Sequence, residues 1–362
     1  MRLPLTDRND TTSIDIEQLK TMVDLFMERG FTYFDTAYPY HSGHSETAIR
    51  EALVKRYPRN SYTLTDKLPC WLINEPEDME RIFNEQLERC GVEYFDYYWV
   101  HALRQSYYET MQRVDGFGFV ARKQAEGKIR HIGFSFHDDP ELLEQILTEH
   151  PESEYVQLQI NYLDWNSPSI KARECYELCV KHGKPVIVME PVKGGALARV
   201  PQQVEELFNR LRPGDSPASW AIRYCASLDN VMMVLSGMSN LEQVDDNTRH
   251  MQHVEPLTAE EQEAIDMAAS AISEGIAIPC TSCHYCTDGC PMHIAIPEYF
   301  SVYNTLKQFG DRYRVNCMTY FTVAHKGHGA PSECIACGQC EEHCPQHLHI
   351  IDSLQLVAQE FE

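Results

Sequence analysis

The chain has 362 residues, and its 54 acidic and 31 basic side chains give a formal net charge of −23 at pH 7. This charge repels nucleic-acid phosphates and anionic lipids, so we expect neither a nucleic-acid nor a membrane partner. The sequence has no apolar stretch of membrane-spanning length and no signal-peptide core, so we expect a cytoplasmic protein. In that compartment its 14 cysteines predict metal binding in preference to disulfides.

Short β-rich runs alternate with amphipathic helical stretches through the first 275 residues. The predicted strands cover residues 31–37, 61–67, 93–100, 128–136, 155–160, 185–190 and 231–237. This alternation predicts a parallel sheet covered by helices. An eighth strand would have to be MRLPL at residues 1–5. We therefore expect strand one to be short, or the natural chain to extend upstream of Met1.

The ends of three consecutive predicted strands carry an acid, an ammonium and an imidazole. Asp35, Lys67 and His101 occupy these ends, and Tyr40 follows Asp35 in the same loop. TIM-barrel chemistry lies at the C-terminal ends of strands, so this grouping favours a closed (β/α)8 barrel over an open doubly wound sheet. Each residue alone also fits a structural role, as an exposed ion pair, a packed tyrosine or a buried histidine. Together the four residues, hereafter the tetrad, predict an active site.

The tetrad is suited to carbonyl reduction, which needs a hydride at carbon and a proton at oxygen. A free tyrosine has a pKa of about 10, and a neighbouring ammonium is expected to lower it. We therefore expect Tyr40 to act as general acid/base, with Lys67 and Asp35 adjusting its pKa. His101 is expected to orient the substrate oxygen.

The stretches GFTYFDTAYPYHSGHSETAIREAL, TDK, YYWVH and GKIRHIGFSFH resemble the aldo-keto reductase superfamily over about residues 15–272. The resemblance implies a TIM barrel that interconverts a small carbonyl compound and its alcohol with a nicotinamide cofactor, with the tetrad in the roles given above. It also implies contacts to the cofactor from Ser135, Gln159, Gly194, Gly195, Gly237, Gln243 and Asn247.

These implied contacts serve different parts of the cofactor. Ser135 and Gln159 would hold the carboxamide, and Gly194 and Gly195 would pass the pyrophosphate, although both glycines also fit ordinary turns. Gly237, Gln243 and Asn247 would lie at the adenosine. Gln243 stands where the family often has an arginine for a 2′-phosphate, which favours NADH over NADPH.

Eight cysteines after residue 279 form two runs of the pattern C-x2-C-x2-C-x3-C-P. In such a run three cysteines bind one cluster and the fourth binds the other cluster, so the pattern predicts two 4Fe–4S clusters and resembles the bacterial two-cluster ferredoxin module. Structural zinc fits this spacing less well. The first cysteine set is Cys280, Cys283, Cys286 and Cys344. The second cysteine set is Cys334, Cys337, Cys340 and Cys290.

The pattern therefore predicts two domains. Residues 1–272 would form the barrel, and residues 273–362 an α+β ferredoxin-like domain with two inserted helices joined at Gly310. Two functions stay open. The first is an NAD(P)H-dependent oxidoreductase coupled to electron transfer through the clusters, with a possible redox protein partner. The second is an electron-transfer or redox-sensing protein that uses the barrel as a docking scaffold.

Overall fold

The chain folds as two compact units. A computed structural model describes residues 2–7, 10–167, 170–309 and 314–362. The first unit consists of Met1–Asn161, Lys171–Pro191 and Ala218–Leu257. The second unit consists of Tyr162–Ile170, Val192–Pro217 and Thr258–Glu362. No helix in the described ranges combines the length and the apolar character needed to cross a lipid bilayer.

The first unit is built on a parallel sheet in which the strands follow one another in chain order. Its seven described strands are β1 (Tyr33–Asp35), β2 (Thr63–Pro69), β3 (Phe95–Leu103), β4 (Ile129–Phe136), β5 (Tyr155–Gln159), β6 (Val186–Met189) and β7 (Val231–Val234). Each pairs in parallel with the next, as the alternating pattern predicts. The ends of β1, β2 and β3 therefore lie side by side, where the tetrad is expected.

The N-terminal stretch differs from its predicted role as a barrel strand. In the described residues Leu5 forms an isolated antiparallel bridge with Ile14 and does not join the sheet. Thr6 N–H donates to Ser13 O at 2.8 Å, and Asp15 N–H donates to Pro4 O at 2.9 Å. These local bonds satisfy backbone groups that a barrel strand would have offered to a neighbour.

Helices follow most strands of the first unit. They are α1 (Ile16–Glu28), α2 (Ser45–Ile49), α3 (Pro76–Cys90), α4 (Gln105–Arg113), α5 (Gly116–Ala125), α6 (Pro140–Glu149), α7 (Ala172–Lys181), α9 (Pro217–Ala226) and α10 (Leu241–Met251). Helix α3 begins with a capping box between Glu75 and Asp78, with Pro76 in its first turn, and Gly91 ends it at φ +71°. Its buried face consists of Met79, Ile82, Phe83, Gln86 and Cys90.

The second unit is helical in its described residues. Its helices are α8 (Gln202–Leu211), α11 (Ala259–Gly275), α12 (Ile296–Phe309), α13 (Arg314–His325), α14 (Gln339–Glu342) and α15 (Ile350–Phe361). Helices α12 and α13 take the places of the two inserted helices, and Gly310 lies outside the described residues. Helix α11 runs across the predicted domain boundary at 272/273.

The core of the second unit lies between α12, α13 and α15. Tyr299, Phe300, Ile350 and Val357 are buried there together with cysteines of both sets. The described residues after Gly275 form one parallel bridge, Ile294–Gly329, in place of the strands expected of an α+β domain. The cysteine runs instead turn through left-handed residues, which interrupt extended backbone.

Candidate active site and cysteine sets

The tetrad lies entirely in the first unit, on neighbouring elements. Asp35 ends β1, Lys67 lies in β2 and His101 lies in β3, where it is opposite Pro69. Tyr40 lies in the loop from β1 to α2, where its N–H donates to Ala37 O at 3.1 Å. Three parallel strands and one tight loop thus bring together the four residues that the sequence predicts.

Lys67 forms the centre of the tetrad. Its side chain is 1% exposed, and Nζ donates to Asp35 Oδ1 at 2.6 Å and to Thr36 O at 2.7 Å. Nζ also lies 4.7 Å from the centroid of the Tyr40 ring. An ammonium has three N–H donors, so these two bonds leave one for a further acceptor beside Tyr40.

Tyr40 differs from the sequence expectation in its acidity. Burial raises the pKa of its phenol well above the usual value, and the negative charges of Asp35 and Glu190 raise it further. Within the described residues no hydrogen bond joins the Tyr40 hydroxyl to Lys67 Nζ; the ammonium lies near the face of the ring. Desolvation therefore outweighs the lowering that Lys67 was expected to supply.

His101 is buried and held among aromatic rings. Its ring centroid lies 6.0 Å from that of Tyr40 and 5.1 Å from that of Trp71. Burial lowers the pKa of the imidazole well below its usual value, and the positive charge of Lys67 lowers it further. Nδ1 is buried and has no hydrogen-bond partner among the described residues. A neutral imidazole with an unsatisfied nitrogen can bond an incoming polar atom.

The predicted carboxamide contacts lie at strand ends of the first unit. Ser135 is 1% exposed in β4, and its Oγ accepts the Ala102 N–H at 2.7 Å. This bond leaves the Ser135 hydroxyl proton for a second partner. Gln159 is buried at the end of β5. Both residues therefore present polar side chains at the same ends of the strands as the tetrad.

The predicted adenosine contacts lie in α10 and in the loop before it. Asn247 Nδ2 donates to Ser236 Oγ at 2.9 Å. Gln243 is exposed, and its Oε1 accepts the Ser239 N–H at 2.7 Å. A Cβ at Gly237 would lie 3.0 Å from the side chain of Arg2. The amide oxygen of Gln243 is thus already hydrogen-bonded within its own loop. Arg2 is a positively charged residue beside this loop, and the sequence analysis did not identify it.

Gly194 and Gly195 belong to the second unit, at a kink within the short helical segment Lys193–Ala198. Their φ angles are +64° and +100°, which favour glycine at both positions. A Cβ at Gly194 would lie 2.1 Å from the carbonyl oxygen of Thr281, the residue after Cys280. The preceding Lys193 is buried and donates to Asp164 Oδ1 at 2.6 Å. Gly194 therefore packs closely on the segment that begins the first cysteine set, whereas a Cβ at Gly195 would meet nothing within 4 Å.

All four residues of the first cysteine set belong to the second unit. Burial raises the pKa of the Cys280 thiol to about 12, with smaller increases from the charges of Cys283 and Cys344. Burial also raises the pKa of Cys286, as do the charges of Cys283, Cys280 and Cys344. Cys283 and Cys344 thus influence the ionisation of Cys280 and Cys286, and four cysteine sulfur atoms are the donor set that one 4Fe–4S cluster needs.

The second cysteine set lines one small cavity. Its walls include Cys290, Cys334, Cys337 and Cys340 together with Pro291, Met292, Ile294, Ile296, Ile335, Ile351 and Leu354. Burial raises the pKa of the Cys340 thiol to about 11, and the charges of Cys334, Glu341 and Cys337 add to the increase. The fourth cysteine of the first run thus joins three from the second run, in the exchange that the spacing predicts.

Comparison with known proteins decides the family of the chain. The aldo/keto reductase family matches residues 5–270, and a 4Fe-4S dicluster domain matches residues 279–349. The chain belongs to the aldo/keto reductase family. This oxidoreductase carries the dicluster segment after its barrel, in the order that the sequence predicts.

Relatives of this aldo/keto reductase support the assignment. An aldo-keto reductase of Mycolicibacterium smegmatis is 25% identical over 243 residues, which cover 64% of this chain and 82% of the relative. The NADH-specific methylglyoxal reductase of Escherichia coli is 24% identical over 263 residues, which cover 60% and 78%. Both matches leave about a third or more of the present chain uncovered.

Solved structures show the same fold. The aldo-keto reductase of Bacillus halodurans in its holo form has a TM-score of 0.57 and 25% identity, covering 72% of this chain and 90% of that one. An aldo-keto reductase of Klebsiella pneumoniae in complex with NADPH has a TM-score of 0.56 and 21% identity, covering 70% and 84%. The first unit is therefore an aldo-keto reductase barrel with seven described strands.

The sequence analysis of this aldo/keto reductase missed two buried carboxyl groups beside the tetrad. Asp66 directly precedes Lys67, and Glu46 lies in α2; both are fully buried. Alternation along a strand places neighbouring side chains on opposite faces, so Asp66 faces away from the side that Lys67 occupies. The sequence TDK shows that Asp66 directly precedes Lys67, but it does not show that Glu46 lies next to Asp66 in the fold.

Proposed function

We propose that this protein interconverts a carbonyl compound and its alcohol with NAD(P)H, with Tyr40 as general acid/base. The observation that carries the proposal is the position of the Lys67 ammonium. It is bound to Asp35 at 2.6 Å and lies 4.7 Å from the centroid of the Tyr40 ring. The unsatisfied Nδ1 of His101 lies on the ring that faces Tyr40.

The tetrad residues would have separate roles. The nicotinamide, when bound, supplies a hydride to the carbonyl carbon. Because its pKa is raised, Tyr40 holds its proton at neutral pH and can give it to the carbonyl oxygen. The phenolate that results is stabilised by Lys67, which Asp35 holds in place. Neutral His101 can bond the substrate oxygen and fix its position.

The preference for NADH over NADPH belongs to the same proposal. Gln243 has no positive charge, and its amide oxygen is bonded to the Ser239 N–H, so it offers a 2′-phosphate no charge-assisted pair. Arg2, beside Gly237, is the residue that could reverse this preference. Fluorescence titration should show NADH binding at least as tightly as NADPH. Tenfold tighter binding of NADPH, lost in Arg2→Ala, would reverse the preference and identify its cause.

The two cysteine sets would each hold a 4Fe–4S cluster, which supplies one-electron transfer when bound. A reducing cytoplasm is the compartment proposed for these thiols. A hydride carries two electrons, so coupling to the clusters would require a redox partner that accepts electrons singly. Cys337 is exposed, and it is the part of the second set that such a partner could approach.

The second candidate is an electron-transfer protein in which the barrel serves as a docking scaffold. Two complete sets of four thiols favour it. Anaerobic addition of NADH or an alcohol substrate distinguishes the candidates through the visible absorption of the clusters. Bleaching supports an enzyme coupled to its clusters. Turnover with unchanged absorption supports a reductase whose clusters are structural or serve an external partner. Bleaching by a reduced redox protein, without any turnover, supports the second candidate.

Tyr40→Phe tests the proposed chemistry. It removes the hydroxyl that delivers the proton and leaves the ring, so carbonyl reduction should fall by about 100-fold or more while cofactor binding is retained. Tyr94→Phe is the matched control, because its hydroxyl only accepts a bond from Arg130 at 2.7 Å near the start of β3. Full activity in Tyr40→Phe would remove the assignment of Tyr40.

A further inference from the structure

A buried carboxyl pair lies beside Lys67 and takes no part in the roles given to the tetrad. Glu46 in α2 and Asp66 in β2 are both 0% exposed. Their carboxylate oxygens and the sulfur of Cys90 lie within 4.8 Å of one another. Two ionised carboxylates this close, both out of water, repel each other strongly.

The hydrogen-bond donors around the pair leave one oxygen unsatisfied. Asp66 Oδ1 accepts from Lys67 N–H at 2.8 Å and from Gln86 Nε2 at 2.8 Å. Glu46 Oε2 accepts from Arg89 at 3.1 Å. Glu46 Oε1 is buried, and no donor among the described residues reaches it apart from a carboxyl proton on its neighbour. A side-chain hydrogen bond between Asp66 and Glu46 affects the pKa of both carboxyl groups, so a single proton on Asp66 would serve this pair and remove the repulsion.

The electrostatic surroundings agree with a proton on Asp66. Burial raises the pKa of Asp66 well above its usual value, and the charge of Glu46 raises it further. Burial also raises the pKa of Glu46, but Arg89 opposes that increase and favours the ionised form of Glu46. The charged and titratable groups that face the pair are Arg89 and Cys90 from α3, Lys67 from β2, Tyr98 from β3 and Tyr40 from the loop before α2.

The same network holds the backbone of Lys67. The Asp66 carboxyl accepts the Lys67 N–H, and Gln86 Nε2 donates to both Asp66 Oδ1 and Lys67 O, the latter at 2.9 Å. The pairing of β1 with β2 ends at Thr65, so Lys67 lies beyond it. Lys67 still pairs with Trp99 of β3, so these side chains hold its backbone in addition to the sheet.

We propose that Asp66 and Glu46 share one proton, which Asp66 donates to Glu46, and that the pair is a positioning device for Lys67. With Asp66 neutral, Asp35 is the carboxylate that pairs with the Lys67 ammonium. An ionised Asp66 would place a second negative charge beside Lys67 and oppose formation of the Tyr40 phenolate. The positioning role rests on the proposed function, whereas the shared proton does not.

Infrared spectroscopy on the full chain tests the shared proton directly. The wild-type protein at pH 7 should show the C=O stretch of a buried carboxylic acid, and Asp66→Asn should lose that band. Asp96→Asn is the matched control: Asp96 is buried in β3 but paired with Arg59 at 2.7 Å and Arg130 at 2.9 Å, so it should contribute no such band. A wild-type spectrum without the band, or a band that persists in Asp66→Asn, overturns the proposal. Divalent metal bound at Glu46, Asp66 and Cys90 would also overturn it.

Kinetics test the positioning role. Asparagine reproduces the neutral, hydrogen-bonding form of Asp66, so Asp66→Asn should keep kcat/KM within about threefold and leave its pH profile unchanged. Asp66→Ala removes the acceptor for the Lys67 N–H and should lower kcat/KM at least tenfold. A shifted pH profile in Asp66→Asn would overturn the role. If the band is lost but even the wild-type protein reduces no carbonyl compound, the shared proton stands and the proposed function fails.

Discussion

The tetrad and the two cysteine sets are built by opposite means. The tetrad stands on regular parallel strands, and its buried ammonium already has a carboxylate and a carbonyl as partners. The cysteine sets stand on short loops that turn through left-handed residues such as Ser282, Ala336 and Gly338. Burial, and to a smaller extent the charges of neighbouring cysteines, raises the pKa of the Cys280 and Cys340 thiols. The charged groups of the tetrad neutralise one another. The cysteine sets, in contrast, are stable as thiolates only when they are bonded to metal.

Lys67→Met should break the tetrad and leave the cysteine sets intact. Removing the ammonium takes the stabilising charge from the Tyr40 phenolate and leaves Asp35 without its partner. We expect kcat/KM for carbonyl reduction to fall by about 100-fold or more. The free energy of unfolding should fall by about 3–5 kcal/mol, because one member of a buried pair is lost. Steady-state kinetics and denaturant unfolding measure the two effects.

Lys123→Met is the control for that variant. Lys123 is also largely buried and pairs with Glu80 and Glu126, both at 2.9 Å, but it lies in α5 and outside the tetrad. It should retain carbonyl reduction. Equal loss of activity in both variants would mean that the ammonium of Lys67 matters only for folding. Iron and sulfide content should be unchanged in Lys67→Met.

Cys337→Ala should give the converse result. The second cysteine set loses one of its four ligands, so bound iron and sulfide should fall by about half if each set holds one four-iron cluster. Cys317→Ala is the control, since Cys317 is a buried thiol of the same unit that belongs to neither set. Chemical iron analysis and electron paramagnetic resonance check the outcome. Unchanged iron in Cys337→Ala would exclude this residue as a ligand.

His101 should make the stability of the reductase unit depend on mild acid. Its folded-state pKa lies well below that of an unfolded imidazole, so the unfolded chain binds more protons as the pH falls. The contribution is fully present above about pH 6.5 and is lost below it, by at most about 1.4 kcal/mol per pH unit. Urea unfolding of wild type and His101→Asn, at about pH 7.5 and pH 5.5, measures it. The wild type should lose more stability than the variant, and equal losses would contradict the prediction.

The strands were predictable because each is a short run of β-rich residues between helical stretches. The seven predicted strands match seven in the structure, with ends that differ by up to three residues. The tetrad could be predicted for the same reason, since consecutive strand ends meet at one edge of a parallel sheet. The exchange of the fourth cysteines could be predicted from spacing, and Cys290 does line the cavity with Cys334, Cys337 and Cys340.

Other features depend on contacts that the sequence does not show. The raised pKa of Tyr40 results from desolvation, which depends on how deeply the folded chain buries the phenol. The pairing of Glu46 with Asp66 joins residues from a helix and a strand. The MRLPL stretch looks like a strand, but its Pro4 O accepts the Asp15 N–H and its Leu5 bridges Ile14. In each case a tertiary or loop contact outweighs the local pattern.

Because Thr281 approaches Gly194 so closely, the residues at these two positions cannot be changed independently of each other. With 2.1 Å between the carbonyl oxygen and the place of a Cβ, even alanine at position 194 would force the backbone of one segment to shift. This requirement holds whether or not a phosphate passes the loop. A designer who grafts the cysteine-bearing segment onto another reductase would therefore need a glycine at the equivalent of position 194. In a natural relative that lost the segment, the φ of +64° alone would still favour that glycine.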